Sequence, residues 1–148
     1  MAARPRSVLP VLLLVASQSF ATPLMQRNQT IISVPAPGEE VTLHTLSYKA
    51  RSFEAKVYSV KLKVTSADGA DPIVGEWTFM SSNNDGQLHK VEIMTRLLDE
   101  SGAQIGMESK KCMIGGGYHD FQCTVPLSMK AADWKNVKSV RIITDWLS

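Results

Sequence analysis

The segment LHKVEIMTRLL, residues 88–98, alternates apolar and polar side chains along most of its length. In an extended chain Val91, Ile93 and Leu97 fall on one face, while the charged residues fall on the other. A period of two residues is typical of a β-strand with one buried and one solvated face. The segment therefore predicts a half-buried strand whose apolar side chains contribute to a core.

Two more extended segments follow this strand, each after a group of turn-forming residues. The turn residues Asp99–Gly102 precede a segment that runs to Ile114, and Gly115–Gly117 precedes the segment Tyr118–Val125. Glycine tolerates the positive φ values that tight turns need. We therefore predict a three-stranded antiparallel meander over residues 88–125.

The two cysteines of the chain, Cys112 and Cys123, lie on either side of the glycine turn. In an oxidising compartment two cysteines without a third competitor are expected to bond to each other. The closed loop is short and corresponds to roughly 3 kcal/mol of stabilisation in the chain-entropy model. The small separation predicts a disulfide between neighbouring strands across the turn, not a bond between two sheets.

The rest of the chain is divided by clusters of turn formers into short segments of the same kind. Helical propensity is appreciable only near residues 129–135, where we expect one or two turns with Trp134 as a plug at the end of the sheets. Seven to eight short strands with almost no helix predict an all-β fold, an antiparallel β-sandwich of the immunoglobulin or fibronectin type. The predicted strands outside the meander are residues 30–34, 41–46, 55–65, 73–80 and 139–143.

The first residues have the three parts of a secretory signal peptide. Arg4 and Arg6 give a positive start, Val8–Val15 is an apolar run, and Ser19–Ala21 has the small-x-small form of a cleavage site. The apolar run is far shorter than the roughly 20 residues that a membrane-spanning helix needs. We therefore assign residues 1–21 to a signal peptide and expect a secreted or periplasmic protein without a membrane span.

After the signal peptide we expect a flexible lead-in at residues 22–29 and a single β-sandwich domain at residues 30–148. The whole chain has 16 basic and 14 acidic residues, and removal of Arg4 and Arg6 would leave equal numbers of each. A protein without excess positive charge lacks the electrostatic signature of nucleic-acid or anionic-membrane binding. The charge balance therefore argues against both classes of partner.

One part of the chain resembles a family of bacterial domains. The strand Gly75–Phe79, the polar break Asn83–Gly86 and the strand Val91–Leu98 with its turn through Gly102 are similar to the FxLYD-type immunoglobulin-like domains. This chain has leucine at both apolar positions before Asp99, where the family has a hydrophobic-Tyr-Asp triplet. The resemblance implies an accessory immunoglobulin-like domain of the cell envelope or the extracellular space.

A metal site is one alternative for the residues around the glycine turn. Cys112, His119, Asp120 and Cys123 offer soft sulfur and borderline nitrogen ligands, which suit zinc or copper. Structural zinc usually has four ligands with closer cysteine spacing, and export favours a disulfide. We therefore expect no metal and no cofactor here.

A hydrolase and a sugar-binding domain are two further alternatives. His44, His89 and His119 could serve a minor hydrolase, but the sequence has no Gly-x-Ser-x-Gly nucleophile elbow. Tryptophans could stack on a carbohydrate, and Trp146 is the one expected to be exposed, whereas Trp77 alternates with core residues. Carbohydrate binding therefore stays the first alternative, ahead of metal binding.

A regular β architecture without a catalytic signature predicts a non-enzymatic binding or interaction module. We expect a protein partner that is reached through loops or a sheet edge. Lys110 and Lys111 are predicted to lie on a solvated edge, where charge discourages pairing with another chain. The candidate interaction loop is the exposed tip of the predicted meander, formed by Gly115, Gly116, Gly117, Tyr118, His119 and Asp120.

Overall fold

The computed structural model describes residues 24–147, which form two antiparallel β-sheets and one short helix. The predicted antiparallel β-sandwich is confirmed, with nine strands where seven to eight were expected. The predicted signal peptide, residues 1–21, lies outside the described residues. The elements are β1 (Leu24–Ser33), β2 (Glu40–Thr42), β3 (Ser47–Ala50), β4 (Phe53–Val64), β5 (Ile73–Asn83), β6 (His89–Leu98), β7 (Gln104–Ile114), β8 (Phe121–Met129), α1 (Ala131–Trp134) and β9 (Ser139–Leu147).

The two sheets divide these strands in an order that the sequence does not reveal. Sheet A has four strands in the order β1-β9-β6-β7. Sheet B has the order β2-β4-β5-β8, and its fifth strand, β3, pairs with β4 beside β2. Each strand directs alternate side chains into the space between the sheets and toward solvent. The helix α1 falls inside the predicted range 129–135, and no helix within residues 24–147 is long and apolar enough to cross a membrane.

The predicted three-stranded meander is wrong in its last step. β6 pairs with β7 in sheet A, but β8 pairs with β5 in sheet B, so the chain changes sheets between Ile114 and Phe121. The predicted disulfide between neighbouring strands is corrected with it, because Cys112 lies at the edge of sheet A and Cys123 at the edge of sheet B. Alternation shows which side chains of a strand face inward. It does not show whether the strand pairs with its predecessor in one sheet or belongs to the opposite sheet, because the pattern is the same in both cases.

The first strand begins at Leu24, so the flexible lead-in expected at residues 22–29 is wrong from Leu24 onward. β1 pairs along its length with β9, and its inward side chains are largely polar. Asn28 Oδ1 accepts a hydrogen bond from the indole Nε1 of Trp146 at 3.0 Å. A strand whose inner face is hydrogen-bonded instead of apolar shows little hydrophobic periodicity, which is why the sequence did not predict it.

The core lies between the sheets and includes the residues that the sequence placed there. The predicted inner face of β6, formed by Val91, Ile93 and Leu97, is buried in one cluster with Trp77 and Phe79 of β5. Full burial of one such side chain contributes about 1.5–3 kcal/mol. The core therefore holds the sheets face to face and leaves the loops and the outer faces free for contact with other molecules.

The β7 edge of sheet A and the β8 edge of sheet B are protected against addition of another strand. Lys110 and Lys111 are exposed on β7, the edge of sheet A, as predicted. On β8, the edge of sheet B, Pro126 is exposed and lacks a backbone N–H. Charge and proline both discourage edge pairing, so strand addition is disfavoured at this side of the sandwich.

Candidate functional site

The predicted interaction loop, residues 115–120, connects β7 to β8 across one end of the sandwich. We call it the β7–β8 loop. Tyr118, His119 and Asp120 are exposed, and Tyr118 reaches 56% exposure. The Tyr118 ring meets the ring of Phe121 edge-on, with centroids 5.8 Å apart. The loop therefore presents a large aromatic side chain whose position is supported by the start of β8.

Two glycines bring this loop against the neighbouring β5–β6 loop, residues 84–88. Gly117 has a φ of +79°, a conformation that residues with side chains rarely adopt, and its N–H donates to the carbonyl of Asp85 at 3.0 Å. A Cβ atom at Gly116 would lie 2.5 Å from the carbonyl oxygen of Gly86. The close approach of the two loops therefore requires glycine at both positions.

Asn83, the last residue of β5, is fully buried and connects the two loops. Its backbone N–H donates to the carbonyl oxygen of Tyr118 at 2.7 Å. Its side-chain Nδ2 donates to the carbonyl oxygens of Gln87 at 2.7 Å and Ile114 at 3.0 Å. Its Oδ1 accepts from the backbone N–H of Asp85 at 2.9 Å. Because buried polar groups need partners, this network fixes both loops as one unit.

Asp120 ties the β7–β8 loop to sheet B. The phenol of Tyr58 on β4 donates to Asp120 Oδ1 at 2.6 Å. The pKa of Tyr58 is raised to about 12, first by this hydrogen bond, then by burial and by the negative charges of Asp120 and Glu40. The phenol is therefore protonated at neutral pH, and the carboxylate of Asp120 is engaged in holding the loop.

The disulfide joins β7 to β8 below this loop, with the Cα atoms of Cys112 and Cys123 6.2 Å apart. The predicted pair of bonded cysteines is confirmed, although the bond connects sheets instead of neighbouring strands. The bond consumes both thiolates on which the metal alternative depended. Within residues 24–147 no group of three or more histidine, cysteine, aspartate or glutamate side chains could hold a metal ion.

The three histidines do not line one common depression. His44 and His119 line two adjacent depressions that share Thr42, Lys56 and Tyr58. His89 lies at the end of the space between the sheets. A depression of about 760 Å³ runs along the disulfide and is lined by none of the three. The structure therefore does not assemble the histidines that the hydrolase alternative would use together.

His89 forms an aromatic cluster with Tyr48 and Phe53, which we call the aromatic plug. It lies at the end of the sandwich that carries the β5–β6 and β7–β8 loops, which we call the loop end. Its ring lies 5.6 Å from the ring of Tyr48 and 5.2 Å from that of Phe53, measured between centroids. His89 Nε2 and Asp85 Oδ2 form a 2.9 Å hydrogen bond, which is the main cause of the lowered pKa of Asp85. The plug therefore supports the β5–β6 loop through Asp85, and His89 is a structural residue of this end.

The tryptophans contribute to the interior. Trp77 is fully buried, as predicted, and Trp134 packs half-buried against the core. Trp146 was expected to be exposed, and this is wrong, because it is 1% exposed and bonded to Asn28. The reason is that β9 is an interior strand of sheet A, flanked by β1 and β6. The carbohydrate alternative thus loses the aromatic side chain on which it depended.

The exposed large apolar side chains are distributed unevenly. Among the described residues, Val74 is the one that faces solvent from sheet B. The others lie at the loop end or on the outer face of sheet A, and no local sequence pattern shows that they share these surfaces. They are Leu24, Met25, Ile31, Leu88, Met107, Met113 and Tyr118.

Asn83 and Tyr58 are two residues of the loop end that the sequence did not predict. Residues 81–86 are polar and turn-forming, although Asn83 continues the inward alternation of Trp77 and Phe79. Extending that alternation through the polar run would have placed Asn83 on the buried face. Tyr58 has no comparable signal, because a register shift in the pairing of β4 with β5 lies next to it.

Comparison with known proteins adds no relative. No protein-family model matches the chain. No curated protein and no solved structure shows significant similarity to it. The class of protein is therefore defined by its own structure: an all-β sandwich of two sheets whose edges are joined by a disulfide below a fixed pair of loops.

Proposed function

We propose that this protein is an exported, non-enzymatic interaction module that contacts a protein partner through the end formed by the β5–β6 and β7–β8 loops. The observation that carries the proposal is the exposed Tyr118 on a loop that the disulfide, Asn83 and Asp120 hold in place. A tyrosine held before binding loses little conformational entropy on contact, and tyrosine is enriched among the residues that dominate binding energy.

The local chemistry of this end also favours binding over catalysis. Asp120 is engaged by Tyr58, His89 is engaged by Asp85, and the disulfide occupies both thiols. Leu88 is half exposed on the adjoining β5–β6 loop and adds apolar area to the same end of the sandwich. An aromatic and an aliphatic side chain on a rigid, otherwise polar rim fit the composition of a protein–protein contact.

Export and family form the second part of the proposal. The sequence of residues 1–21 and the disulfide support secretion to the periplasm or the extracellular space. The two-sheet sandwich and the motif around Val91–Leu98 support an immunoglobulin-like domain akin to the FxLYD type.

The test is capture of a partner with a matched pair of surface variants. The disulfide-bonded protein is immobilised and exposed to secreted and envelope fractions of its own host. We expect Tyr118→Ser to weaken retention of a specific protein by at least about tenfold. Val74→Ser, which removes an exposed apolar side chain from sheet B, should leave retention unchanged.

Two results would contradict the proposal. One is the absence of any protein retained by the unaltered chain above background. The other is retention that an oligosaccharide abolishes and that Tyr118→Ser does not change, which would favour the carbohydrate alternative. Thermal unfolding of both variants shows whether a lost signal comes from a lost fold.

A further inference from the structure

Four side chains form one line across the solvent face of sheet A. The strand register places Ile31 opposite Arg141, Arg141 opposite Arg96, and Arg96 opposite Met107. We call these four residues the arginine row. With strands spaced about 4.8 Å apart, the row is about 14 Å long. It spans all four strands of the sheet, from β1 to β7.

The two arginines at the centre are like charges on directly opposed positions of neighbouring strands. Such a pair destabilises a sheet, because the Cβ atoms of opposed residues are close together. Among the described residues neither Arg96 nor Arg141 has an ion-pair partner within 4.0 Å. The Nε atom of Arg96 is buried and has no hydrogen-bond partner in residues 24–147. Folding therefore brings two cations together without compensating them.

The acidic residues of the same face do not neutralise the row. Glu92 and Asp145 lie opposite each other, four residues along their strands from Arg96 and Arg141. Four strand residues span about 13 Å between Cα atoms. Neither carboxylate forms an ion pair within 4.0 Å with Arg96 or Arg141. Asp145 is already bound by Arg27, whose Nε and Nη2 donate to its two carboxylate oxygens at 2.6 and 2.7 Å. The positive charge of the two half-buried arginines thus stays without a compensating carboxylate on this face.

Apolar side chains stand at both ends of the row. Ile31 is 54% exposed and Met107 is 50% exposed. The flexible thioether of methionine adapts to different partner surfaces, and an exposed isoleucine offers rigid apolar area. Two residues further along β6 and β9, the half-buried Met94 lies opposite the buried Ile143 on the same face of the sheet. A ligand that fits this face must offer both negative charge and apolar contact.

We propose that the arginine row receives an acidic segment of a protein partner, with carboxylates on the two guanidinium groups and apolar side chains on Ile31 and Met107. The planar guanidinium group matches carboxylate geometry and forms charge-assisted hydrogen bonds. A segment that alternates acidic and apolar residues supplies both components. The inference rests on the proposed function in one respect, that the partner is a protein, and it uses a surface separate from the loop end.

The test uses a defined probe, so it does not depend on capture of the natural partner. A blocked synthetic peptide of alternating leucine and glutamate is titrated into the isotope-labelled, disulfide-bonded protein and followed by amide chemical shifts. We expect saturable shifts at Ile31, Arg96, Met107 and Arg141. The same peptide with glutamine in place of glutamate should bind at least about tenfold more weakly, because the charge-assisted hydrogen bonds are lost.

Two double variants that change the net charge by the same amount distinguish a specific site from general electrostatic attraction between the protein and the peptide. The double variant Arg96→Gln with Arg141→Gln should weaken binding of the glutamate peptide at least about tenfold. The control is Lys61→Gln with Lys63→Gln, which removes two exposed cations from the outer face of sheet B. This control should retain the affinity, although its net charge changes by the same amount.

Several results would overturn the arginine row as a site for an acidic segment. They are no binding at millimolar peptide, equal binding of the glutamine peptide, equal loss in the lysine control, or shifts confined to the sheet edges. Tighter binding of a sulfated disaccharide to the same arginines would assign the row to anionic carbohydrate instead. If Tyr118-dependent capture survives any of these results, the arginine row fails and the proposed function does not.

Discussion

The outer faces of the two sheets use the same antiparallel pairing but expose different chemistry. On sheet B, Lys61 lies in line with Thr78 and Thr124, and its charge is compensated by Glu40 at 3.8 Å. On sheet A, the corresponding central positions hold Arg96 and Arg141, which have no such partner among the described residues. Hydroxyl groups and balanced ion pairs are expected on a sheet face that contacts only solvent. Solvation alone does not explain opposed arginines beside exposed apolar side chains.

The difference shows which surface is under a constraint other than folding. A sheet gains stability from opposite charges and loses it from like charges on opposed positions. Sheet B follows this rule and sheet A departs from it, although both enclose the same core. The departure is local to a row that Ile31 and Met107 flank, so we attribute it to recognition.

The disulfide joins the edge of sheet A to the edge of sheet B, and its removal should have the largest effect on stability. Replacement of Cys112 and Cys123 by serine should lower the free energy of unfolding by roughly 2–4 kcal/mol, because the unfolded chain regains loop entropy. Urea denaturation of both forms measures the loss. Equal midpoints would show that the bond between the sheets contributes nothing.

The next effect concerns the loop end that both sheets share. Asn83→Ala should cost about 2–3 kcal/mol, because it leaves buried carbonyl groups such as that of Ile114 without their donor. Asn84→Ala is the matched control, since Asn84 is exposed and its side chain accepts one hydrogen bond from the backbone of Glu54. Similar losses for the two variants in denaturation experiments would show that Asn83 is not what fixes the loops.

A pH experiment tests whether the β7–β8 loop is attached to sheet B. The pKa of Tyr58 is about 12 in the folded protein, so the stabilisation from its bond to Asp120 is complete below the ordinary tyrosine pKa of about 10. It is lost as the pH rises through about 12. Asp120→Asn should move the phenolate absorbance transition of Tyr58 toward lower pH. An unchanged transition would mean that the loop is not bound there.

The smallest expected change in the free energy of unfolding has opposite signs on the two faces, so it tests the difference between them most directly. Arg141→Thr should stabilise the fold by about 0.2–0.5 kcal/mol, because it removes a like-charge pair. Lys61→Thr should destabilise it by a similar or smaller amount, because it removes the exposed pair with Glu40. High salt should reduce both differences. Stability losses for both variants in parallel unfolding curves would contradict our account of sheet A.

The parts of the fold that could be predicted are those encoded by local alternation. Val91, Ile93 and Leu97 repeat with a period of two, so their burial followed directly from the sequence. The sheet to which β8 belongs did not follow, because inward-facing Cys123 fits either sheet equally well. The start of β1 was missed because Asn28 depends on Trp146, a partner 118 residues away.

The sequence predicted the position of the candidate loop, residues 115–120, but not the contacts that fix it. The turn at Gly115–Gly117 marked an exposed loop, and the structure places Tyr118 at its tip. What fixes that loop comes from β4 and β5, and no local pattern connects those strands to it. Arg96 and Arg141 likewise become opposed only through the register of β6 with β9.

The position of β9 has a consequence for how the chain reaches its folded state during synthesis. Among the described strands β9 comes last in the sequence, yet it lies between β1, which comes first, and β6. Until Ser139–Leu147 is available, β1 has no neighbour and β6 has an unpaired side. Pairing between such distant segments is slow to form, so sheet A completes only after β9 has been synthesised. A nascent chain whose sheet A stays open until then could still pass through an export channel, which is compatible with the export that we propose.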